Sequence, residues 1–132
     1  MNPVAQMVSA LSLPQAPQPF LTGSRAYGTP RDNSDYDIVC LLDAERATAL
    51  ASVFPGRQIS LTRDIRWIGP INLIVCTQRE DYEQWKEVTD ALIAMKPVTR
   101  EAAIQAFNEA GLTGSEYETT VFTRHLQEAQ HN

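Results

Sequence analysis

The chain has 132 residues, 43% of them apolar and 20% charged, with a formal net charge of −5. That length can bury one substantial core but not two. The acidic balance excludes a protein that holds long nucleic acid by a broad basic face. A single domain is therefore expected over 1–132, with an N-terminal helix and proline-rich connector over 1–18, a core over 19–95 and C-terminal helices over 96–132.

In chain order, Val4 to Leu11 can form a short helix that the following LPQAPQP connector cannot continue. The first twenty residues, MNPVAQMVSALSLPQAPQPF, lack a basic n-region and carry four prolines, so they read neither as a signal peptide nor as a membrane span. A cytoplasmic protein is expected. Phe20 to Thr22 is a short apolar strand that includes Thr22. It ends at Gly23, after which SRAYG can make one helical turn with Ser24 at the N-cap.

The polar loop TPRDNS follows, and Asp37 to Leu42 is a continuous apolar run of the kind found in buried strands. Asp43 can cap a helix over AERATALASVF, which Pro55-Gly56 stops. RQISLTRDIRWI alternates apolar and polar side chains, as one or two half-exposed strands would. Gly69-Pro70 turns the chain into a second buried strand, Ile71 to Cys76. An amphipathic helix from about Gln78 to Met95 then carries Tyr82, Trp85, Val88 and Leu92 on one stripe.

Thr99 can cap a helix bearing Ile104 and Phe107 that Gly111 ends, and Ser115-Glu116-Tyr117-Glu118 matches a capping box opening a last helix. The order predicts an α+β fold, a small mixed β-sheet covered on one face by helices. Cys40 and Cys76 lie within apolar runs without a second ligand at metal spacing, and read as reduced, packed thiols.

The chemistry concentrates in LTGSRAYGTPRDNSDYDIVCLL. Asp35 and Asp37 stand at i and i+2, so an extended backbone sends both carboxylates from one face, roughly 6 to 7 Å apart along the chain. Two such acids at a strand mouth suit Mg²⁺, which completes its octahedron with water and substrate phosphates. Gly23-Ser24 offers a place for phosphate: glycine permits close backbone approach, and helical N–H groups favour an anion. Arg25 and Arg31 can add positive charge. Gly23 and Gly28 have the outer spacing of a P-loop, but Thr29-Pro30 stands where Lys-Ser/Thr is needed. An EF-hand read from Asp32 would place Asp37 where glycine is required and Asp43 where glutamate is.

Taken together, GSRAYG and SDYD at this spacing resemble the signature of the DNA polymerase β-like nucleotidyltransferase superfamily. The resemblance is to its minimal nucleotidyltransferases, whose pattern is GSRA-x-G…SD-x-D. It is best over Leu21 to Leu42 and extends loosely to Tyr82 or Trp85. Asn72-Leu73-Ile74 followed by Glu80 to Trp85 is also similar to short phage-encoded members. The resemblance implies a polymerase β-like palm and Mg²⁺- or Mn²⁺-dependent transfer of a nucleoside monophosphate, AMP from ATP by default, to a hydroxyl acceptor with release of pyrophosphate. Protein, a tRNA 3′ end and a small molecule all remain open as acceptor.

It further implies that Gly23, Ser24, Arg25 and Arg31 bind the nucleotide while Asp35 and Asp37 hold the metal. Members usually carry a third carboxylate on a later strand, and the matching position here is Asn72, whose amide brings no negative charge. Asp64 is the only acid on the intervening strands and reads as a surface-turn residue, Arg63 and Arg66 as solvated charges, and Trp67 as core. His125 and His131 have no partner pattern. The alternative reading is a catalytically degenerate module that binds a nucleotide or a partner, similar in outline to antitoxins paired with HEPN-domain toxins. A third is an interaction protein that keeps the fold and binds no nucleotide.

Overall fold

A computed structural model describes residues 17–112. The helices expected at Val4 to Leu11 and from Ser115, together with His125 and His131, lie outside the described residues. Within them run β1 (Phe20–Thr22), α1 (Ser24–Tyr27), β2 (Tyr36–Leu41), α2 (Ala44–Val53), β3 (Gly56–Ser60), β4 (Arg63–Ile68), β5 (Ile71–Cys76), α3 (Arg79–Ala94) and α4 (Arg100–Glu109). The expected caps are made: Asp43 accepts from the Arg46 N–H at 2.8 Å, and Thr99 accepts from that of Ala102 at 3.2 Å. Past α4 the chain turns at Gly111, whose φ of 74° is one that side-chain-bearing residues seldom adopt.

The five strands form one mixed sheet in the order β1-β2-β5-β4-β3. Only β2 and β5 pair in parallel. A parallel pair needs a long crossover, and α2 with the β3–β4 hairpin supplies it. RQISLTRDIRWI is thus two antiparallel strands joined at Leu61-Thr62.

Alternation along β2 and β5 divides the core. Val39, Ile74 and Cys76 face α1, α3 and α4 and pack with Tyr27, Tyr82, Trp85, Leu92 and Phe107. The stripe read on α3 is this packing face: Tyr82, Trp85 and Leu92 are buried, and Val88 packs against the cluster. Ile38, Cys40, Leu73 and Val75 face the other way, where Ala47 and Leu50 of α2 pack on them. Helical cover therefore reaches the second face too. The physical reason lies in the central strands, which are apolar on both faces beyond their first residues and need burial on both.

Candidate active site

Strand register builds the site. Asp37 on β2 pairs with Thr22 of β1 and with Asn72 of β5, and Asn72 pairs in turn with Trp67 of β4. Paired residues on neighbouring strands share a face, so Thr22, Asp37, Asn72 and Trp67 form one row across four strands. It lies on the α3/α4 side, because Val39 and Ile74, two residues further along, are in that core. The Thr22 hydroxyl meets that of Thr89 on α3 at 2.8 Å, buried, and anchors one end of the row. Asp37 and Asn72 are only half-buried.

Asp35 stands one residue before β2 with the same parity as Asp37. The Asn72 amide nitrogen donates to Asp35 Oδ2 at 3.3 Å and to Asp37 Oδ1 at 3.1 Å, so the three residues meet. Between two carboxylates an N–H₂ donor offsets their mutual repulsion, which a third acid would instead increase.

Gly23 joins the Gly-Ser turn to these acids. Its φ of 77° and ψ of −165° are accessible essentially to glycine alone, and a Cβ there would run into the Asp37 carboxylate. The two halves of the sequence motif are thus in direct contact. The helix cap is where expectation needs correction: Gly23, not Ser24, is the N-cap of α1, and no side chain caps it. The glycine-only backbone puts the break one residue earlier, making Ser24 the first helical residue. Ser24 and Arg25 then carry N–H groups that a helix start leaves without intrahelical partners.

Arg25 turns away from a free role. Its Nε and Nη2 donate to the Ser34 carbonyl at 2.9 and 2.7 Å, Nη2 also to that of Asp32 at 3.1 Å, and the guanidinium lies 4.1 Å above the Tyr36 ring. It clamps the loop that delivers Asp35. Arg31 is exposed on that loop, and its backbone N–H donates to Ser34 Oγ at 2.8 Å.

Parity separates the remaining candidates. Asp64 pairs with Val75, which faces α2, so its carboxylate lies on the opposite face from Asn72 and cannot supply the third acid. It is a strand residue, not a turn residue, and pairs with Arg66 Nη2 at 3.0 Å. Arg63 shares the Asn72 face but sits at the far end of β4, bound to the Leu112 carbonyl at 2.8 Å. Trp67, expected in the core, is 41% exposed at the open end of the row.

Sequence reasoning missed Arg100. The bond from the Val98 N–H to the Tyr27 carbonyl, 2.8 Å, holds the start of α4 beside α1. Ser24, Thr29, Thr99 and Arg100 there line a cleft of about 200 Å³. No local pattern announces it, since residues over seventy positions apart meet.

Burial pushes the Cys40 thiol far above its ordinary range, and that of Cys76 to about 12 with a smaller push from Asp81. Both are free and buried, which suits packing and neither nucleophilic nor metal chemistry. Among the described residues no three His, Cys, Asp or Glu side chains converge. The two adjoining carboxylates are nonetheless a hard-oxygen donor pair that fits Mg²⁺, because that ion commonly takes one or two carboxylates and keeps water and phosphate oxygens for the rest.

Among the described residues no helix is long and apolar enough to cross a membrane. The family model of the nucleotidyltransferase domain matches residues 18–106, reaching past Trp85 into α4. No curated protein and no solved structure matches the chain.

Proposed function

The chain belongs to the nucleotidyltransferase domain family, and on that footing we propose that it moves a nucleoside monophosphate, AMP foremost, from a nucleoside triphosphate to a hydroxyl acceptor. One observation carries the reading: the Gly23 turn lies directly on the Asp37 carboxylate, so a polyphosphate held at one is within reach of the other. The Ser24 hydroxyl and the N–H groups of Ser24 and Arg25 bind the β and γ phosphates, with exposed Arg31 and Arg100 as counter-charges. Asp35 and Asp37 hold the divalent cation, Mg²⁺ or Mn²⁺. When bound, that ion supplies charge stabilisation at the α phosphate.

The acceptor oxygen forms a bond to the α phosphorus as the bond to the bridging oxygen breaks, and pyrophosphate leaves. The acceptor's proton is lost to a carboxylate or to water. Arg25 acts as a positioning residue through the Asp32–Ser34 loop, and Asn72 orients both carboxylates while bringing no charge of its own. The two buried thiols suit a reducing compartment such as the cytoplasm. Likeness to short phage-encoded members remains part of this proposal. Transfer of label from α-labelled triphosphates, against an Asp35→Asn/Asp37→Asn control, tests it.

A second reading is favoured by the Asn72 hydrogen bonds to both carboxylates. An amide donor quiets the acid pair without a metal, as a nucleotide- or partner-binding module that has lost turnover would need. This is the antitoxin-like alternative.

A further inference from the structure

We infer that Trp67 is the acceptor-side stacking platform of this site, taking a planar ring attached to the hydroxyl that is to be modified. The inference rests on the transferase reading and adds the chemical class of the acceptor. Trp67 is 41% exposed, so part of the indole is open to a ligand. Among the described residues no aromatic ring or cation packs on it. Its strand partner is Asn72, whose own partner is Asp37, so the indole emerges at the same end of the same sheet face as the candidate metal site.

Direction follows from the row. Neighbouring strands are about 4.8 Å apart, which puts the Gly23 turn after β1 and Trp67 on β4 at opposite ends, roughly 14 Å apart, with Asp37 and Asn72 between. Attacking and leaving oxygens in phosphoryl transfer are nearly in line. With the pyrophosphate on the Gly23–Ser24 side, the acceptor must approach from the Trp67 side. An indole face there recognises a flat ring by stacking.

Charge does not exclude a phosphate beside the ring: Arg66 lies on the other face with Asp64 and Arg63 is at the far end bound to Leu112, but Arg57 of β3 is exposed and its strand partner, Ile65, has the same parity as Trp67, which puts this arginine on the Trp67 face.

The test uses the full chain labelled with 5-fluorotryptophan. Its two tryptophans, Trp67 and the buried Trp85, give two fluorine resonances assigned with Trp67→Phe. With Mg²⁺ and α,β-methylene-ATP present, N-acetyltyrosinamide or adenosine is expected to shift the Trp67 resonance and leave Trp85 in place. Read by calorimetric titration, which does not need the Trp67 resonance, Trp67→Leu should weaken binding of that probe about tenfold or more, and Trp67→Phe much less. Thermal stabilisation by Mg²⁺ and α,β-methylene-ATP, read separately, checks the nucleotide site itself. If nucleotide stabilises but neither probe moves Trp67, the inference fails while the transferase reading stands. A Trp67 shift with nucleotide alone assigns it to the donor base and overturns the inference. Absence of nucleotide stabilisation overturns both readings together.

Discussion

Asn72 donates its side-chain N–H to Asp37 at 3.1 Å from the neighbouring parallel strand, where the two residues are direct partners. The amide also reaches Asp35, so one residue holds both candidate metal ligands. Replacing it by a carboxylate changes a donor into a third negative charge. Asn72→Asp should lose about 1 to 3 kcal/mol of stability in chelator and regain it in Mg²⁺, read by thermal unfolding. Transfer that is created or greatly raised by this change would mark the natural chain as degenerate, whereas transfer already present and little altered would mark Asn72 as part of a working site.

Gly23→Ala meets two obstacles at once, a backbone at φ 77° and the Asp37 carboxylate in the path of the new methyl group. The expected loss is on the order of 1 to 3 kcal/mol. Because relief requires Asp37 to move, nucleotide-dependent stabilisation should vanish even in the fraction that stays folded. Denaturation with and without Mg²⁺ and nucleotide measures both effects.

Arg25 holds the carbonyls of Asp32 and Ser34 through a planar fork stacked on Tyr36. A lysine cannot reproduce that geometry. Arg25→Lys and Arg25→Ala should therefore behave alike, costing about 1 kcal/mol in stability while lowering transfer tenfold or more, because the loop carries Asp35. A lysine variant with full activity would instead assign Arg25 to simple charge pairing with phosphate.

The thiols give a pH prediction whose sign follows from burial. Cys76 is raised from an ordinary 9.0 to about 12, and Cys40 is raised further. In the unfolded chain both ionise above about 9 while the folded chain keeps them neutral. Their contribution to stability is intact below pH 9 and falls away as pH rises from there toward 12. Thiol-reagent labelling at pH 8 should accordingly be slow in the native chain and fast in denaturant.

Much of the fold was legible because the two central strands announce themselves. Beyond Asp37 and Asn72, the runs IVCLL and LIVC are apolar without interruption, and such runs belong at the middle of a sheet. The contact between the Gly23 turn and Asp37 was foreshadowed by the spacing of GSRAYG and SDYD, since a short helical turn and one loop bring the chain back beside β1. Trp67 and Asp64 were harder. They alternate on a hairpin strand, and which of them faces the site depends on register, where one residue of slip exchanges the two faces. The irregularity between Gln58 and Ser60 and the turn at Leu61-Thr62 accompany that register, and nothing local reveals it. Arg100 was out of reach for another reason: it joins Ser24 through a backbone contact between Val98 and Tyr27, a meeting of distant segments without a pattern of its own.

The most direct test is transfer of label from each of the four α-labelled nucleoside triphosphates, with Mg²⁺ or Mn²⁺, into cell lysate and into the purified protein. The intact chain and Asp35→Asn/Asp37→Asn are compared side by side. Label is expected on an acceptor with the intact chain and is expected to be lost in the double variant. Absence of label from all four nucleotides, or equal label with both chains, would contradict the transferase reading.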